Sequence, residues 1–310
     1  MAGTGQFHYL SQISKVLGTR VAFYKMLNHV NQDRFGKAYY RTLCQALGSK
    51  VYDNVAFDEQ ALHNAQLIEP TSPIWIMWWD GEKEFPPLVK CCVDSVRRNA
   101  GTHPVIIISK SNLSEYVQIP SVILGKVQDG TISVTAFSDI VRFALLRRYG
   151  GLWLDATIVL RVPVGKLIDG KQFFSLRRGN SYKPKIAVWS GEWTVFCIGG
   201  GKGNPVFDYM YKALTTYWNR TNVLVDYFLI DCTISIMYDA FFGVREQFGQ
   251  IPKISYNLYE LEADLNKDND SNVVSNLHGD IYKLNRKTTH VLKTIDGHET
   301  VYSRFLQVDL

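Results

Sequence analysis

The pattern of hydrophobic and polar positions changes near residue 70. Before that point, apolar residues recur every three or four positions from Leu10 onward, and Gly and Pro are rare. This period predicts helices over residues 6–67. Beyond it, short runs rich in Ile, Val and Trp predict buried strands. The change of period divides the chain into an N-terminal helical segment, residues 1–68, and an α/β domain, residues 69–310.

Strands and helices alternate in the first half of the α/β domain. The pattern predicts, in order, a strand and turn within 73–87, a helix at 89–98, a strand at 103–109, a short strand at 122–125, a helix at 135–149 and a strand at 152–160. Such alternation is typical of parallel βαβ units. In sheets of this kind, ligands bind at the carboxyl ends of the strands. We therefore expect the functional site to follow the predicted strands.

The second half of the domain has a less regular pattern. It predicts short strands at 173–176, 187–189 and 195–198, helices at 205–217 and 225–242, and a polar, turn-rich tail at 264–309. No internal repeat or low-complexity tract interrupts the sequence. The chain as a whole therefore predicts a mixed α/β protein.

Composition narrows the class of protein. Of the 310 residues, 46% are hydrophobic and 20% charged, which is typical of a globular protein and excludes disordered, collagen-like and coiled-coil chains. The five cysteines show no CxxC spacing, which argues against a disulfide framework or zinc site and favours a reducing, cytoplasmic compartment. Neither a secretory signal nor an apolar run of roughly 20 residues is apparent, so no membrane span is expected.

Positive charge is concentrated near the N-terminus. Residues 1–50 contain seven Lys or Arg and one acidic residue, a net charge of +6, whereas the whole chain carries +5. The excess fits an ordinary solvated helical surface. It also fits contact with an anionic membrane face or a phosphate-bearing partner. No basic stripe interleaved with aromatic residues occurs outside this segment, so no nucleic-acid partner is expected.

Candidate functional residues are most concentrated in residues 138–157, SDIVRFALLRRYGGLWLDAT. Asp139 and Arg142 are three positions apart and share one face of the predicted helix. The helix ends at a Gly pair, and the next strand carries Asp155 and Thr157, whose side chains point the same way. A carboxylate at a sheet edge can hold a divalent cation that bridges phosphates. The alternatives are an ordinary surface ion pair and a simple turn role for the second carboxylate.

This string resembles the signature of the capsular polysaccharide synthesis family of glycosyltransferases. The family is related to the DxD-containing sugar transferases, which include the initiating mannosyltransferases and the clostridial glucosylating toxins. The shared positions are Ser138, Asp139, Arg142, Tyr149, Gly150, Gly151 and Asp155. A weaker resemblance runs from about 70 to about 290, and residues 1–65 lie outside it.

The resemblance implies a GT-A type fold, in which a Rossmann-like sheet binds a sugar nucleotide, with the helical segment added to it. It implies retaining transfer of a hexose from a nucleotide donor, UDP-linked in relatives, to a saccharide or lipid-linked oligosaccharide acceptor. Such a reaction serves the synthesis of capsular or other surface polysaccharides, in the cytoplasm or at the inner face of the cell membrane. The alternative is a non-catalytic protein that binds a sugar nucleotide or scaffolds a polysaccharide-synthesis complex.

The resemblance also implies roles for particular residues. Asp155 contacts the donor ribose, the sugar or a metal-bound water, and Asp139 and Arg142 help to hold the donor. The second Asp of the DxD motif, a direct metal ligand in the wider group, is Thr157 here. This change weakens the expected Mn or Mg site because a hydroxyl is a poorer ligand than a carboxylate. His278 is a further candidate metal ligand, with an ordinary surface role as the alternative.

Two aromatic residues follow the first predicted strand and are candidates to hold a nucleotide base. Trp78 and Trp79 end the run IWIMWW at the expected binding edge. A base stacked on such a ring contributes about 1–3 kcal/mol. The related toxins have a Trp in a comparable turn, and Trp78 matches it best. Because neighbouring strand residues face opposite ways, we expect at least one of the two to fill the core.

Two residues in the second half complete the expected site. Asp231 lies in an apolar helix, where an unpaired carboxylate is costly, so we expect it to line a cleft and to orient the acceptor or stabilise the developing positive sugar. Helix capping or structural pairing is the alternative. Lys283 lies in a Lys-Leu setting like that of the family and is expected to neutralise the leaving diphosphate. Arg286 and Lys287 are alternatives for that role.

Overall fold

The protein is built from short strands and many helices. The computed structural model describes residues 2–178, 192–269 and 276–307. Within them the strands are β1 (Ile74–Met77), β2 (Val105–Ile108), β3 (Gly151–Leu154), β4 (Ile158–Leu160), β5 (Phe173–Ser175), β6 (Arg177–Arg178), β7 (Cys197–Gly200), β8 (Lys253–Ile254) and β9 (Ile281–Lys283). The α-helices are α1 (Ala2–Leu17), α2 (Thr19–Val30), α3 (Gln32–Ala46), α4 (Pro87–Asn99), α5 (Leu113–Tyr116), α6 (Ser121–Gln128), α7 (Val134–Tyr149), α8 (Gly165–Ile168), α9 (Pro205–Arg220), α10 (Leu229–Ala240), α11 (Phe242–Gly249), α12 (Glu260–Asp264) and α13 (Val301–Gln307). The predicted α/β class is confirmed.

Five strands form the central sheet, in the order β2, β1, β3, β7 and β5. β1 runs parallel to both β2 and β3, whereas β7 runs antiparallel to β3 and β5. The helix α4 connects β1 to β2, and α7 precedes β3, as expected for βαβ units. The carboxyl ends of the three parallel strands therefore meet at one edge of the sheet.

The side chains of the central strands alternate between two cores, one on each face of the sheet. Trp75 and Trp153 lie in the larger core, together with residues of α1–α3, α7, α9 and α10. Ile76 and Leu152 lie in the second core with residues of α4. Every residue of β1 and β3 is buried, so both strands appear in the sequence as continuous apolar runs.

The predicted N-terminal helical segment consists of α1, α2 and α3, followed by a π-helical turn (Leu47–Val51) and a 3-10 turn (Gln60–Asn64). Ile13 and Leu43 lie in the same core as Trp218 of α9, so the helices pack directly on the α/β part. The division of the chain at residue 68 stays a prediction. Within the described part of the chain, no helix combines the length and apolar character needed to cross a membrane.

One predicted strand, at 122–125, is wrong, and another, at 152–160, is wrong in part. Residues 122–125 lie in α6, because Pro120 directly precedes the helix and the apolar run supplies its buried position, Ile123. The strand at 152–160 is two strands, β3 and β4, separated by a turn in which Ile158 N donates to Asp155 O (3.0 Å).

The second half also differs from its predicted pattern. The helix at 225–242 begins only at Leu229 and ends at Ala240, and a second helix follows it. The predicted strand at 195–198 begins two residues later, at Cys197. The predicted strand at 187–189 lies outside the described residues.

A glycine at the start of β3 allows the close approach of β1. Gly151 has φ +94°, and a Cβ there would lie 2.1 Å from the carbonyl oxygen of Pro73. The next residue, Leu152, donates its N–H to that same oxygen (2.9 Å), which joins β3 to the start of β1.

We predict that Gly151→Ala destabilises the fold far more than Gly130→Ala. Gly130 also has positive φ (+80°) but has open space around its Cβ position, so its substitution carries only the backbone strain of about 1–2 kcal/mol. The Gly151 variant must in addition displace the neighbouring strand, and we expect at least twice the loss. Urea denaturation of both variants measures the free energy of unfolding. Equal losses would show that the close approach does not constrain the sheet.

Candidate functional site

A cleft of about 1180 Å³ lies at the carboxyl ends of β1 and β3. The predicted site residues that line it are Trp78, Trp79, Asp139, Arg142, Asp155, Thr157, Asp231 and Lys283. His278 is exposed and is not among the lining residues. The structure therefore brings together every predicted site residue except His278, at the sheet edge where the sequence pattern places the site.

The two tryptophans after β1 pack toward opposite cores. Trp78 packs edge-to-face on Phe85 with ring centroids 5.9 Å apart, and its Nε1 donates to Glu84 O (3.2 Å). Trp79 packs edge-to-face on Phe137 at 5.4 Å. Both rings are half-buried and both line the cleft. The expectation that one of them fills the core is wrong, because each ring packs against one of the two cores but is only half-buried.

Arg142 is a buried positive charge in the floor of the cleft. Its side chain is 4% exposed, and its Nη2 lies 3.1 Å from Asp139 Oδ1 and 3.5 Å from Asp155 Oδ1. The guanidinium lies 4.9 Å from the centre of the Trp153 ring, whose Nε1 donates to Asp155 Oδ1 (3.1 Å). Nε and Nη1 of the arginine have no hydrogen-bond partner among the described residues. The group is therefore a buried network and not a surface ion pair.

Lys283 approaches the other oxygen of Asp155. Its Nζ lies 3.5 Å from Asp155 Oδ2 and donates to Thr157 Oγ1. The antiparallel pairing of β9 with β4 places Lys283 opposite Ile158, directly after the turn that holds both partners. Asp155 therefore begins a turn, as the alternative interpretation had it, and it still shares one ammonium group with Thr157.

These contacts bear on the expected Mn or Mg site at Asp155, Thr157 and His278. Each carboxylate oxygen has a cation near it, and the Thr157 hydroxyl accepts from Lys283. A divalent ion at this carboxylate would be repelled by both cations. In residues 2–178, 192–269 and 276–307, no three His, Cys, Asp or Glu side chains are grouped to hold a metal ion. The described residues do not fit the expected metal site, and Arg142 and Lys283 supply positive charge there.

Asp231 lines the cleft from the first turn of α10. It is 7% exposed, and Trp193 Nε1 donates to its Oδ1 (3.0 Å). Burial, with a smaller effect of Asp139, raises the pKa of Asp231 to about 7 against the opposing effect of the Trp193 bond. Burial likewise raises the pKa of Asp139 to about 6. The Asp231 carboxyl is therefore partly protonated near neutral pH, so it can both donate and accept a hydrogen bond.

Two tryptophans of the site were missed by the sequence interpretation. Trp153 lies in β3, two positions before Asp155, so the alternation of side chains along the predicted strand contains the signal that would have found it. Trp193 lies 38 residues from its partner Asp231, and no local pattern connects them.

Comparison with known families agrees with the resemblance seen in residues 138–157. A family model described as capsular polysaccharide synthesis protein matches residues 24–305. The chain belongs to the capsular polysaccharide synthesis protein family. The family match begins within α2, so the expectation that residues 1–65 lie outside the resemblance is wrong for residues 24–65. The N-terminal helices are therefore largely part of the family's own architecture.

One solved structure similar to this chain is described as PaToxG glycosyltransferase. It is 14% identical, with a TM-score of 0.39, over 70% of this chain and 91% of that chain. No curated protein matches the sequence. A similarity at this level is too low to assign an activity. The family membership and the geometry of the cleft are the stronger observations.

We predict that Asp231→Asn changes how stability depends on pH. A folded-state pKa of about 7, above the usual value near 3.9, makes the wild-type fold lose stability as pH rises from about 4 to 7. Asparagine does not titrate and can still accept the Trp193 bond. The melting temperature of the variant minus that of the wild type should therefore increase across this range and level off above it.

Thermal denaturation of both proteins in steps from pH 4 to pH 8 measures this difference. Each unit of pKa difference corresponds to about 1.4 kcal/mol, so the change is large enough to detect. A difference in melting temperature that stays constant or falls with pH would show that burial does not raise the pKa of the Asp231 carboxyl.

Proposed function

We propose that the protein is a retaining glycosyltransferase of GT-A type. It transfers a hexose from a UDP-linked donor to a saccharide acceptor in the synthesis of capsular or other surface polysaccharides. The observation that supports this most is a group of neighbours in the cleft: the Trp78 ring, the Arg286 guanidinium 5.5 Å from it, and the Lys283 ammonium beside Asp155. An aromatic ring next to cationic groups suits a nucleoside diphosphate.

The donor lies along this group. Its base stacks on Trp78, with Trp79 beside it. Its diphosphate lies against Lys283, Arg286 and Lys287, which follow one another at the end of β9 and all line the cleft. The two latter side chains are exposed and can move to meet the phosphates. This arrangement leaves the sugar next to Asp155.

The chemistry is a same-face substitution at the anomeric carbon. The acceptor oxygen forms a bond to that carbon as its bond to the diphosphate oxygen breaks, and the electron pair goes to the diphosphate. The hydroxyl proton passes to the leaving oxygen, so no protein base is required. Lys283 stabilises the negative charge on the diphosphate. Asp155, whose Oδ2 lies 3.5 Å from Lys283 Nζ, contacts the donor sugar. Holding both substrates in this geometry supplies much of the rate enhancement.

The remaining site residues orient the two substrates. Asp139 and Arg142 hold the donor from the side of α7. Asp231, in the first turn of α10, orients the acceptor hydroxyl, since a half-protonated carboxyl can donate or accept a hydrogen bond. Its bond to the Trp193 indole fixes the carboxyl in place.

The proposal predicts that a UDP-hexose binds without added metal and that Lys283→Met weakens its binding about tenfold, or about 1.4 kcal/mol. The reason is the loss of a positive charge opposite the diphosphate. Lys202→Met is the matched control, because Lys202 is exposed and does not line the cleft. Calorimetric titration with a panel of nucleotide sugars, in excess chelator and in manganese, measures both effects.

Three results would change the proposal. Equal donor affinity of Lys283→Met and wild type would contradict the placement of the diphosphate. Strict dependence on manganese would show that an ion, and not Lys283, neutralises the leaving group. Donor binding with no hydrolysis and no transfer would favour the non-catalytic binding or scaffold protein.

We also propose that α2 contacts an anionic membrane surface, at the inner face of the cell membrane where lipid-linked acceptors lie. Phe23, Met26 and Val30 are 53%, 42% and 76% exposed, and their spacing places them on one face of the helix. Lys15 and Arg20 are exposed nearby in the chain. A helix with exposed apolar residues and flanking basic residues suits the interface of an anionic bilayer.

We predict that the protein co-sediments with vesicles containing phosphatidylserine and that salt weakens the binding. Replacing Lys15, Arg20 and Arg34 by Gln should reduce the binding free energy by about 1 kcal/mol for each charge near the surface. Lys25 is left unchanged because it forms a 2.6 Å ion pair with Asp226.

The matched control replaces three exposed lysines outside the helical segment, namely Lys83, Lys166 and Lys202. Equal recovery of the wild type with neutral and anionic vesicles, or no recovery with either, would contradict the membrane proposal. Equal weakening by the control variant would show that only total charge matters.

A further inference from the structure

The loop between α9 and α10 forms one wall of the cleft and carries an exposed tyrosine. Leu224, Tyr227 and Phe228 line the cleft. Tyr227 is 73% exposed, and its ring packs edge-to-face on Phe228 with centroids 5.2 Å apart. Such a ring offers a flat apolar surface with a polar tip, and it loses little side-chain freedom on binding. None of the roles proposed above uses it.

The residue before this tyrosine is a buried anchor. Asp226 is 7% exposed. Its Oδ2 lies 2.6 Å from Lys25 Nζ and accepts from Tyr39 Oη (3.0 Å). Its Oδ1 accepts from Tyr40 Oη (3.3 Å) and from Phe228 N (3.0 Å). The carboxylate therefore joins the loop to two N-terminal helices, since Lys25 lies on α2 and the two tyrosines lie on α3.

The first helix holds the same loop by its backbone. Tyr9 Oη of α1 donates to both Leu224 O and Val225 O, each at 2.9 Å. All three N-terminal helices thus contact one short stretch of chain. Because a buried carboxylate that loses its cation is strongly destabilising, the position of this stretch is closely determined.

We propose that Tyr227 binds the saccharide acceptor by stacking on a sugar ring, and that the N-terminal helices position it for that purpose through Asp226 and the loop carbonyls. The inference depends on the proposed glycosyltransferase function, because it concerns that reaction's acceptor. In this inference the N-terminal helices contribute to acceptor binding and not to donor binding. The residues proposed to bind the donor lie at or after the ends of β1, β3 and β9. Asp231, five residues after Asp226, also lines the cleft and is the residue proposed above to orient the acceptor hydroxyl.

The role of the Tyr227 ring is tested by measuring how the full chain binds to an array of mono- to tetrasaccharides in the presence of UDP. We expect Tyr227→Ala to lose at least about tenfold in affinity for the saccharides that the wild type binds. Tyr227→Phe keeps the ring and should retain most of the affinity. UDP affinity, measured separately, should be unchanged in both variants.

The positioning role is tested by Tyr9→Phe, which removes only the hydroxyl that holds the loop carbonyls. We expect a three- to tenfold loss of saccharide affinity with unchanged UDP affinity, and no further loss when the change is added to Tyr227→Ala. Tyr24→Phe is the matched control, because Tyr24 is a half-buried tyrosine of α2 whose hydroxyl is bonded to no residue of the loop in the described structure. Asp226→Asn, if it folds, should show the same pattern as Tyr9→Phe.

Saccharide binding by Tyr227→Ala equal to that of the wild type would overturn the role of the ring. Additive losses in the double variant, or an equal loss in Tyr24→Phe, would overturn the positioning role. A wild type that binds UDP but no saccharide would overturn both. Failure of the wild type to bind any nucleotide sugar would instead contradict the proposed function, and the inference with it.

Discussion

The buried positive charge of Arg142 has to be neutralised by groups close to it. This requirement determines how α7 and β3 are placed beneath the cleft. The 4%-exposed side chain of Arg142 is shared between Asp139 on its own helix and Asp155 at the end of β3, with the Trp153 ring against its face. Loss of either carboxylate would leave the Arg142 charge incompletely neutralised in the protein interior, where this destabilises the fold far more than at the surface. α7 and β3 are therefore fixed relative to one another, and the geometry of the cleft floor follows from this electrostatic constraint.

The same constraint determines what the cleft can bind. Asp155 is shared between Arg142 and Lys283, so its charge is already balanced by protein cations at 3.5 Å. Arg286 and Lys287, which follow β9 in the chain, are exposed and remain able to meet an anionic ligand. A nucleoside diphosphate next to Trp78 would use both features, the aromatic surface and the cations, while the part of the cleft lined by Asp231 and Tyr227 remains for an acceptor.

Much of the fold could be predicted because its determinants are local. The buried strands, the helix that ends at a Gly pair and the spacing of Asp139, Arg142 and Asp155 all lie within short windows of sequence. The rest depends on contacts between distant residues. Lys25 meets Asp226 across 201 positions. That anchor also explains the late start of α10, because the Asp226 carboxylate accepts the Phe228 N–H and so competes with helical hydrogen bonding.

Hydrogen–deuterium exchange of the full chain, alone and with a UDP-hexose, tests the central claim that the donor lies between the end of β3 and the end of β9. The donor should slow exchange at residues 155–157 and 283–287 together, since both stretches face the same ligand. Exchange at 224–228 should slow only when a saccharide acceptor is added. Protection by the donor at 224–228 without any at 155–157, or protection confined to residues outside the cleft, would contradict the proposed site.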